Sequence, residues 1–414
     1  MCAVQSVGML PVEHLHLEHV LQTVCVLESV VCRSFGPEGG QVLFTQDTGQ
    51  AMLSRSGARI LTALRLEHPL ARMVVECVLK HSTETGDGSK TFIILMASLL
   101  RIIHTTACRE PHVSRTHTSK AAAETASARH LADKMLAFAS EELDDLIAAA
   151  VVPLSGATPV RDCRVIEPEH VATLTFCRPI LLGAHRYVHV AFHDTEEKIT
   201  VKPCSLVLCG LGEGQTDQFA CALKDAMRML LSTWDPIGIT AAPFKQCVLE
   251  PGCVLPAGGT FELLLNNALL QHGSSCSISD HTNKGVPAVS QLLAKALLSV
   301  PRQIYYHSPR RLLQTQTRLL SLTKNHLSIA HNKILTQSHR EDGTLTEPCR
   351  GEVLMSGSGL ESVSCKSQVL LAALQCVSSL LRVDAVLRTH TALHTQSHRR
   401  TNISWAGTED EAED

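Results

Sequence analysis

The chain has 414 residues, enough for two or three domains and for an apolar core that needs no covalent staples. Hydrophobic residues make up 44% and charged residues 19%, ordinary for a globular protein, while aromatics at 3% leave the core to aliphatic packing. A formal charge of -3 gives no electrostatic footprint for nucleic acid, so no nucleic-acid partner is expected.

The 16 cysteines form no CxxC pairs, and Cys25, Cys77, Cys221 and Cys376 sit in apolar runs, where a thiol acts as a small core residue in a reducing compartment. The first thirty residues mix Glu13, His14, His16 and Glu18 with apolar positions, unlike a signal peptide. No stretch reads as a membrane span.

From Leu17, apolar Val20, Leu21, Val24, Leu27 and Val31 recur every three or four residues and predict a helix that stops near Gly36-Pro37. Residues 41–46 and 51–54 flank Asp47-Thr48-Gly49 and predict a β-hairpin. Helices are predicted over 58–64, 70–80 and 91–104, with Pro69 in the first turn of the second. Residues 109–130 are polar and rich in Ser, Thr and His, and a helix follows over 131–150 with Glu141, Glu142, Asp144 and Asp145 on its solvated side.

Between Pro153 and Val201 the alternation around Tyr187-Val188-His189-Val190 predicts a small sheet, followed by a strand over 205–209 and a helix over 216–231. The block from Pro251 to Leu387 is mainly helical, ending in a helix over 369–381 that is apolar nearly all round and expected to be fully buried. Beyond His390 the composition cannot bury a core, and disorder is expected.

The most informative segment is Thr85-Gly86-Asp87-Gly88-Ser89-Lys90-Thr91, which separates two predicted helices and opens the second. Gly86 and Gly88 let the backbone approach an anion, Ser89 and Thr91 supply hydroxyls, and free N–H groups at a helix start favour negative charge. Asp87 is the candidate magnesium ligand. Ser89 stands where a Walker A loop needs glycine before its lysine, which disfavours a P-loop. Phe35-Gly36-Pro37-Glu38-Gly39 is a second glycine-rich turn suited to phosphate.

The order of these pieces resembles the equatorial domain of group II chaperonins, with L-G-P-x-G, hairpin, T-N-D-G, x-E-H-P-A and G-D-G-T. Here they read Phe35–Gly39, Ser54-Arg55-Ser56-Gly57, Leu66–Ala71 and Gly86–Ser89. Leu206–Gly210 is similar to the strand entering the second intermediate segment and Leu223-Lys224-Asp225-Ala226-Met227 to the H-D-A-L helix, which puts Asp225 on the family's catalytic aspartate. Ala257-Gly258-Gly259-Thr260-Phe261-Glu262 looks like G-G-G-A-x-E, and Ala294–Arg302 like the helix ending in I-P-R. The strings Leu66–Met73, Thr85–Ile94 and Tyr187-Val188-His189 are similar to a ciliary branch of the superfamily.

The resemblance implies an α+β, mainly helical fold. Its equatorial domain, multihelical with a β-hairpin, would be assembled from both chain ends, residues 1–110 and 249–389. A small intermediate domain would come from 111–153 and 201–248, a vestigial apical segment from 154–200, and a disordered tail from 390–414. A complete apical domain would need on the order of 100 residues or more, so an ATP-driven folding cage is not expected.

The resemblance further implies ATP with Mg2+ as cofactor, contacted by Gly36, Pro37, Gly57, Gly86, Asp87, Gly88, Ser89, Lys90, Thr91, Gly258 and Gly259. Implied partners are related chaperonin-like proteins and cytosolic chaperonin subunits, with BBSome subunits as clients, in the cytoplasm near the cilium and basal body. In the family, the T-N-D-G and H-D-A-L aspartates position the attacking water. Ser56 replaces the first, a loss that typically costs about two to four powers of ten in rate. Ala257 narrows the glycine triplet, and residues 335–358 hold no counterpart of the family's late aspartate. The function implied is an ATP-binding molecular chaperone that assists protein folding and assembly of the BBSome for ciliogenesis and ciliary trafficking. The alternative is a non-hydrolysing adaptor or scaffold that binds other chaperonin subunits and takes nucleotide weakly or not at all. An unrelated phosphotransferase using Asp87 and Asp225 lacks a second substrate pocket.

His390, His394 and His398 have helical spacing but no further ligand partner, and Arg310-Arg311, Arg399-Arg400 and the acidic terminus read as solvated charge. Glu67-His68 before Pro69 reads as a helix cap.

Overall fold

The computed structural model describes residues 12–45, 51–109, 120–151, 156–157, 163–165, 173–176, 184–194, 202–210, 213–234, 253–276, 289–336 and 359–387. The hairpin turn at 47–49 and everything beyond His390, including its histidines and charge runs, lie outside the described residues. The architecture is mostly helical with small sheets.

By internal contacts the chain divides in two. One unit, residues 1–14 with 385–414, contains the antiparallel pair β1 (Val12–His14) and β11 (Ala385–Leu387), with Val12 opposite Leu387. All elements between them belong to the other unit, Leu15–Asp384.

That unit opens with α1 (Leu17–Cys32), whose buried face is Leu17, Val20, Val24, Leu27 and Val31, the periodicity read in the sequence except that Leu21 is only half-buried. The hairpin β2 (Val42–Thr45) and β3 (Ala51–Ser54) pairs Val42 with Ser54. There follow α2 (Gly57–Thr62), α3 (Pro69–Thr85) and α4 (Ser89–Ala107). Pro69 sits in the first turn of α3, and the His68 ring caps it by accepting the Leu70 N–H at 3.2 Å. Helix α5 spans Lys120–Ala150, eleven residues longer at its start than predicted. The run Ala121-Ala122-Ala123-Glu124 and its alanine-rich continuation have high helix propensity, which outweighs the polarity that suggested a loop. Glu141, Glu142, Asp144 and Asp145 are exposed, as expected.

The middle of the chain supplies β4 (Gly156–Ala157), β5 (Cys163–Val165), β6 (Thr173–Phe176), β7 (Ala184–Asp194) and β8 (Lys202–Gly210). Strand β7 pairs with β8 along one edge, from Ala184 opposite Gly210 to Phe192 opposite Lys202, while β5 and β6 share its other edge. Helix α6 (Glu213–Trp234) then returns to pack on α3 and β3.

The last part contains β9 (Cys253–Pro256), α7 (Thr260–Cys276), α8 (Val289–Leu297), α9 (Ser299–Ile304), α10 (Pro309–Thr336), β10 (Leu360–Ser362) and α11 (Val363–Leu381). Strand β9 joins β10 and β4, with Val254 opposite both Ser362 and Gly156. Ser362 caps α11 by accepting the Cys365 N–H at 3.3 Å.

Helices from both ends of the sequence form one core: α4 packs against α1, α3, α5, α8 and α11, and α5 against α7 and α11. Phe92, Ile93, Ile94, Leu95, Met96, Leu99, Leu100 and Ile103 are all at most 1% exposed. Each such side chain contributes about 1.5–3 kcal/mol relative to exposure, so α4 is anchored along its length and its first turn is held in place.

Three further expectations change. Helix α11 is not buried all round, since Gln375 and Ser379 are exposed and Leu371 half-buried. Helices α4 and α11 do have the length and hydropathy of membrane spans, contrary to the sequence reading, but both are largely buried in the core. Among the cysteines, Cys365 and Cys376 are buried, whereas Cys25, Cys77 and Cys221 are only half-buried.

Candidate functional site

The turn between α3 and α4 is built from two glycines in the left-handed region. Gly86, φ 76°, ends α3 and donates its N–H to the Ser82 carbonyl at 2.9 Å; Gly88, φ 86°, begins α4 and accepts the Phe92 N–H at 2.8 Å. Side chains rarely adopt such φ values, so the turn needs glycine at both positions. Asp87 is held between them. Buried Thr85 fixes the loop from beneath, its hydroxyl lying 2.9 Å from both the His81 and Asp87 carbonyl oxygens. The His81 ring lies directly under Gly88, and burial pushes its pKa down to about 4 against an opposing pull from Asp87. The imidazole is therefore neutral near pH 7.

This turn forms one wall of a cavity of about 290 Å³. Gly86, Asp87, Gly88, Ser89, Lys90 and Thr91 line it from α3 and α4, Ser56 and Gly57 from the turn after β3, and Asp225 from α6. The first amides of α4 have no intrahelical acceptor, which gives this wall partial positive charge. Gly57 lets the β3–α2 turn approach: a Cβ there would sit 2.5 Å from both Ser89 Oγ and Lys90 Cγ. Burial raises the Asp225 carboxyl above the usual range; Arg228, at 3.9 Å, lowers it, Asp87 adds to the rise, and Arg59 lowers it further.

Lys90 lines the cavity, but its ammonium donates to the Ser34 carbonyl at 2.6 Å and the Arg55 carbonyl at 3.0 Å. Arg55 in turn donates to the Gly36 carbonyl at 2.8 Å. Burial lowers the Lys90 pKa to about 8, with Arg55 adding and Asp87 opposing. Lys90 is thus a strut joining α4 to the two loops that end α1 and β3, and it gives the cavity positive charge more than a free donor.

The remaining expected residues gather elsewhere. Gly36, Pro37, Gly258 and Gly259 do not line this cavity. Gly36 and Gly259 pack on α9, where added Cβ atoms would lie 3.5 Å from Ile304 Cα and 2.8 Å from Pro301 Cβ, and Gly258 faces the Tyr305 hydroxyl. Next to them, the Lys366 ammonium lies 3.1 Å from Glu262 and 3.3 Å from Glu361, with Glu262 only 1% exposed.

Sequence reading missed this buried triad and also the cavity residues Arg59, Gln218 and Cys221. The i, i+3 spacing of Asp225 and Arg228 was a legible signal for their pairing. The triad joins Glu262 to Lys366, 104 positions further on, a separation that no local pattern announces.

The donor set fits a magnesium–nucleotide phosphate. Magnesium retains waters and takes one or two carboxylates plus phosphate oxygens, and Asp87 stands with Ser89 and Thr91 beside free amides. Among the described residues no group of three or more His, Cys, Asp or Glu is placed to hold a metal ion.

The TCP-1/cpn60 chaperonin family matches residues 27–155. The human BBSome complex assembly protein BBS10 is 56% identical over 90 residues, 22% of this chain and 12% of that protein. The mouse protein of the same name is 58% identical over 84 residues, 20% and 12% of the two chains. T-complex protein 1 subunit alpha of Tetrahymena pyriformis is 35% identical over 78 residues, 19% and 14% of the two chains. The matched segment thus spans about an eighth of the length of these relatives. A solved group III chaperonin in the open state is similar at a TM-score of 0.48 and 14% identity, covering 90% of this chain and 98% of that one. Residues 27–155, which carry the glycine turn, are thus similar to the TCP-1/cpn60 chaperonin family, and a segment of the chain resembles the BBSome complex assembly protein BBS10.

Proposed function

We propose that this chain is a chaperonin-like assembly factor that binds magnesium–ATP in the cavity between α4, the β3–α2 turn and α6. The observation that carries the reading is the Gly86-Asp87-Gly88 turn at the start of α4, facing Asp225 across a cavity of about 290 Å³. In this reading Asp87 holds the metal, while the α4 amides, Ser89 and Thr91 hold phosphate oxygens. When bound, the metal neutralises charge on the phosphates. Asp225, whose proton affinity is raised by burial, orients water.

Turnover is slow in this account because Ser56, which also lines the cavity, offers a hydroxyl where a second carboxylate would be needed. That observation favours a nucleotide-stabilised adaptor as the second reading. The resemblance extends the proposal to partners: related chaperonin-like proteins and cytosolic chaperonin subunits, with BBSome subunits as clients, in the cytoplasm at the base of the cilium.

The test is ATP binding and hydrolysis by the purified chain with magnesium, beside Asp87→Ala and Asp225→Ala. The proposal expects binding to be lost in Asp87→Ala, with binding kept and residual turnover reduced in Asp225→Ala. Turnover indifferent to both changes, or no binding by the unaltered chain, would overturn it.

A further inference from the structure

Arg59 lies on the wall between the cavity and a larger neighbouring cleft of about 800 Å³, lining both together with Ser56, Cys221 and Asp225. Its Nη1 is buried without a hydrogen-bond partner, and its Nη2 reaches only the Met52 sulfur at 3.8 Å, a weak acceptor. Other cations around the cavity are engaged: Lys90 by two carbonyls, Arg55 by the Gly36 carbonyl, Arg228 by Asp225. A buried guanidinium N–H left unmet is costly, and an anionic oxygen is the partner that satisfies it best.

The site therefore has two separate features that attract anions. One is the α4 N-terminus beside Asp87, and the other is Arg59, next to neutral Ser56. Ser56 adds no charge to repel a phosphoryl group there; the lining carboxylates are Asp87, on the α4 side, and Asp225, whose proton affinity Arg59 lowers. A chain of phosphates is the ligand class that can use both features at once. Lys224 and Arg228 on the cleft side increase the positive field there.

We infer that Arg59 contacts the terminal phosphate of a bound nucleoside triphosphate and makes the site prefer triphosphate over diphosphate. This rests on the reading of the cavity as a magnesium–nucleotide site. The guanidinium holds the triphosphate in place and so suits a site that retains its nucleotide.

The test is equilibrium binding of magnesium–ADP and of a magnesium-bound ATP analogue with an imido β,γ bridge, to the unaltered chain, Arg59→Gln and Arg59→Lys. Arg59→Gln should weaken the triphosphate analogue roughly ten- to a hundredfold and leave ADP unchanged, and Arg59→Lys should restore part of the difference. Equal loss for both nucleotides would reveal a structural role and overturn the inference, as would no change for either. If the unaltered chain binds neither nucleotide, the reading of the cavity itself fails and takes Arg59 with it. If it binds both and the variants are indifferent, only the role of Arg59 fails.

Discussion

Gly86 and Asp225 touch through their backbones: a Cβ on Gly86 would run into the Asp225 carbonyl oxygen, with the Arg228 Cβ and Met229 amide each 2.7 Å away. The absent side chain lets α6 lie against the turn and bring the Asp225 carboxylate to the cavity. Gly86→Ala adds strain at φ 76° to this clash. It should cost about 1–3 kcal/mol and increase amide exchange along α6, measured by denaturant unfolding and hydrogen exchange. Unchanged stability would show that α6 is not seated on the turn.

His81 makes stability depend on pH. Its ring is neutral in the folded chain, with a pKa of about 4, whereas the unfolded chain takes up the proton near 6.5. Between those values the unfolded state binds more protons, so stability should fall as pH drops from 6.5 to 4 and level off below, by about 3 kcal/mol in all. Denaturant midpoints across that window should lose part of their slope in His81→Gln.

Lys366 bridges two carboxylates in the core beside β9 and β10. Removing it leaves Glu262, 1% exposed, with no cation. Lys366→Met should therefore cost about 3–5 kcal/mol. Adding Glu262→Gln to that variant should recover part of the loss, since the strain lies in the stranded charge. Denaturant unfolding of both variants measures this.

Ser56→Asp tests the proposal that a missing carboxylate slows turnover. The residue lines the cavity with Asp225, and a carboxylate there should raise magnesium-dependent ATP hydrolysis by up to about two powers of ten, the low end of such effects. No gain would mean that the missing carboxylate is not what limits the reaction.

What could be read from the sequence followed from local rules. The Leu17–Val31 periodicity, Pro69 at a helix start and the paired glycines around Asp87 each fix backbone within a few residues, and the structure has them where they were read. The start of α5 was missed because alanine propensity was weighed below polarity. The site was half-legible. Gly86–Thr91, Ser56, Gly57 and Asp225 do meet, whereas Gly36 and Gly259 pack on α9 and Gly258 faces the Tyr305 hydroxyl, contacts set by long-range packing. Lys90 was expected among the nucleotide contacts through the resemblance; only the folded chain shows the Ser34 and Arg55 carbonyls claiming its ammonium.

The most direct test of the central claim is a calorimetric titration of the full chain with magnesium–ATP, beside Asp87→Ala. Saturable one-site binding that needs magnesium and weakens at least tenfold in the variant is the predicted result. Heat that is absent, or equal in both proteins with and without magnesium, would contradict the assignment of the Gly86–Thr91 turn as a nucleotide site.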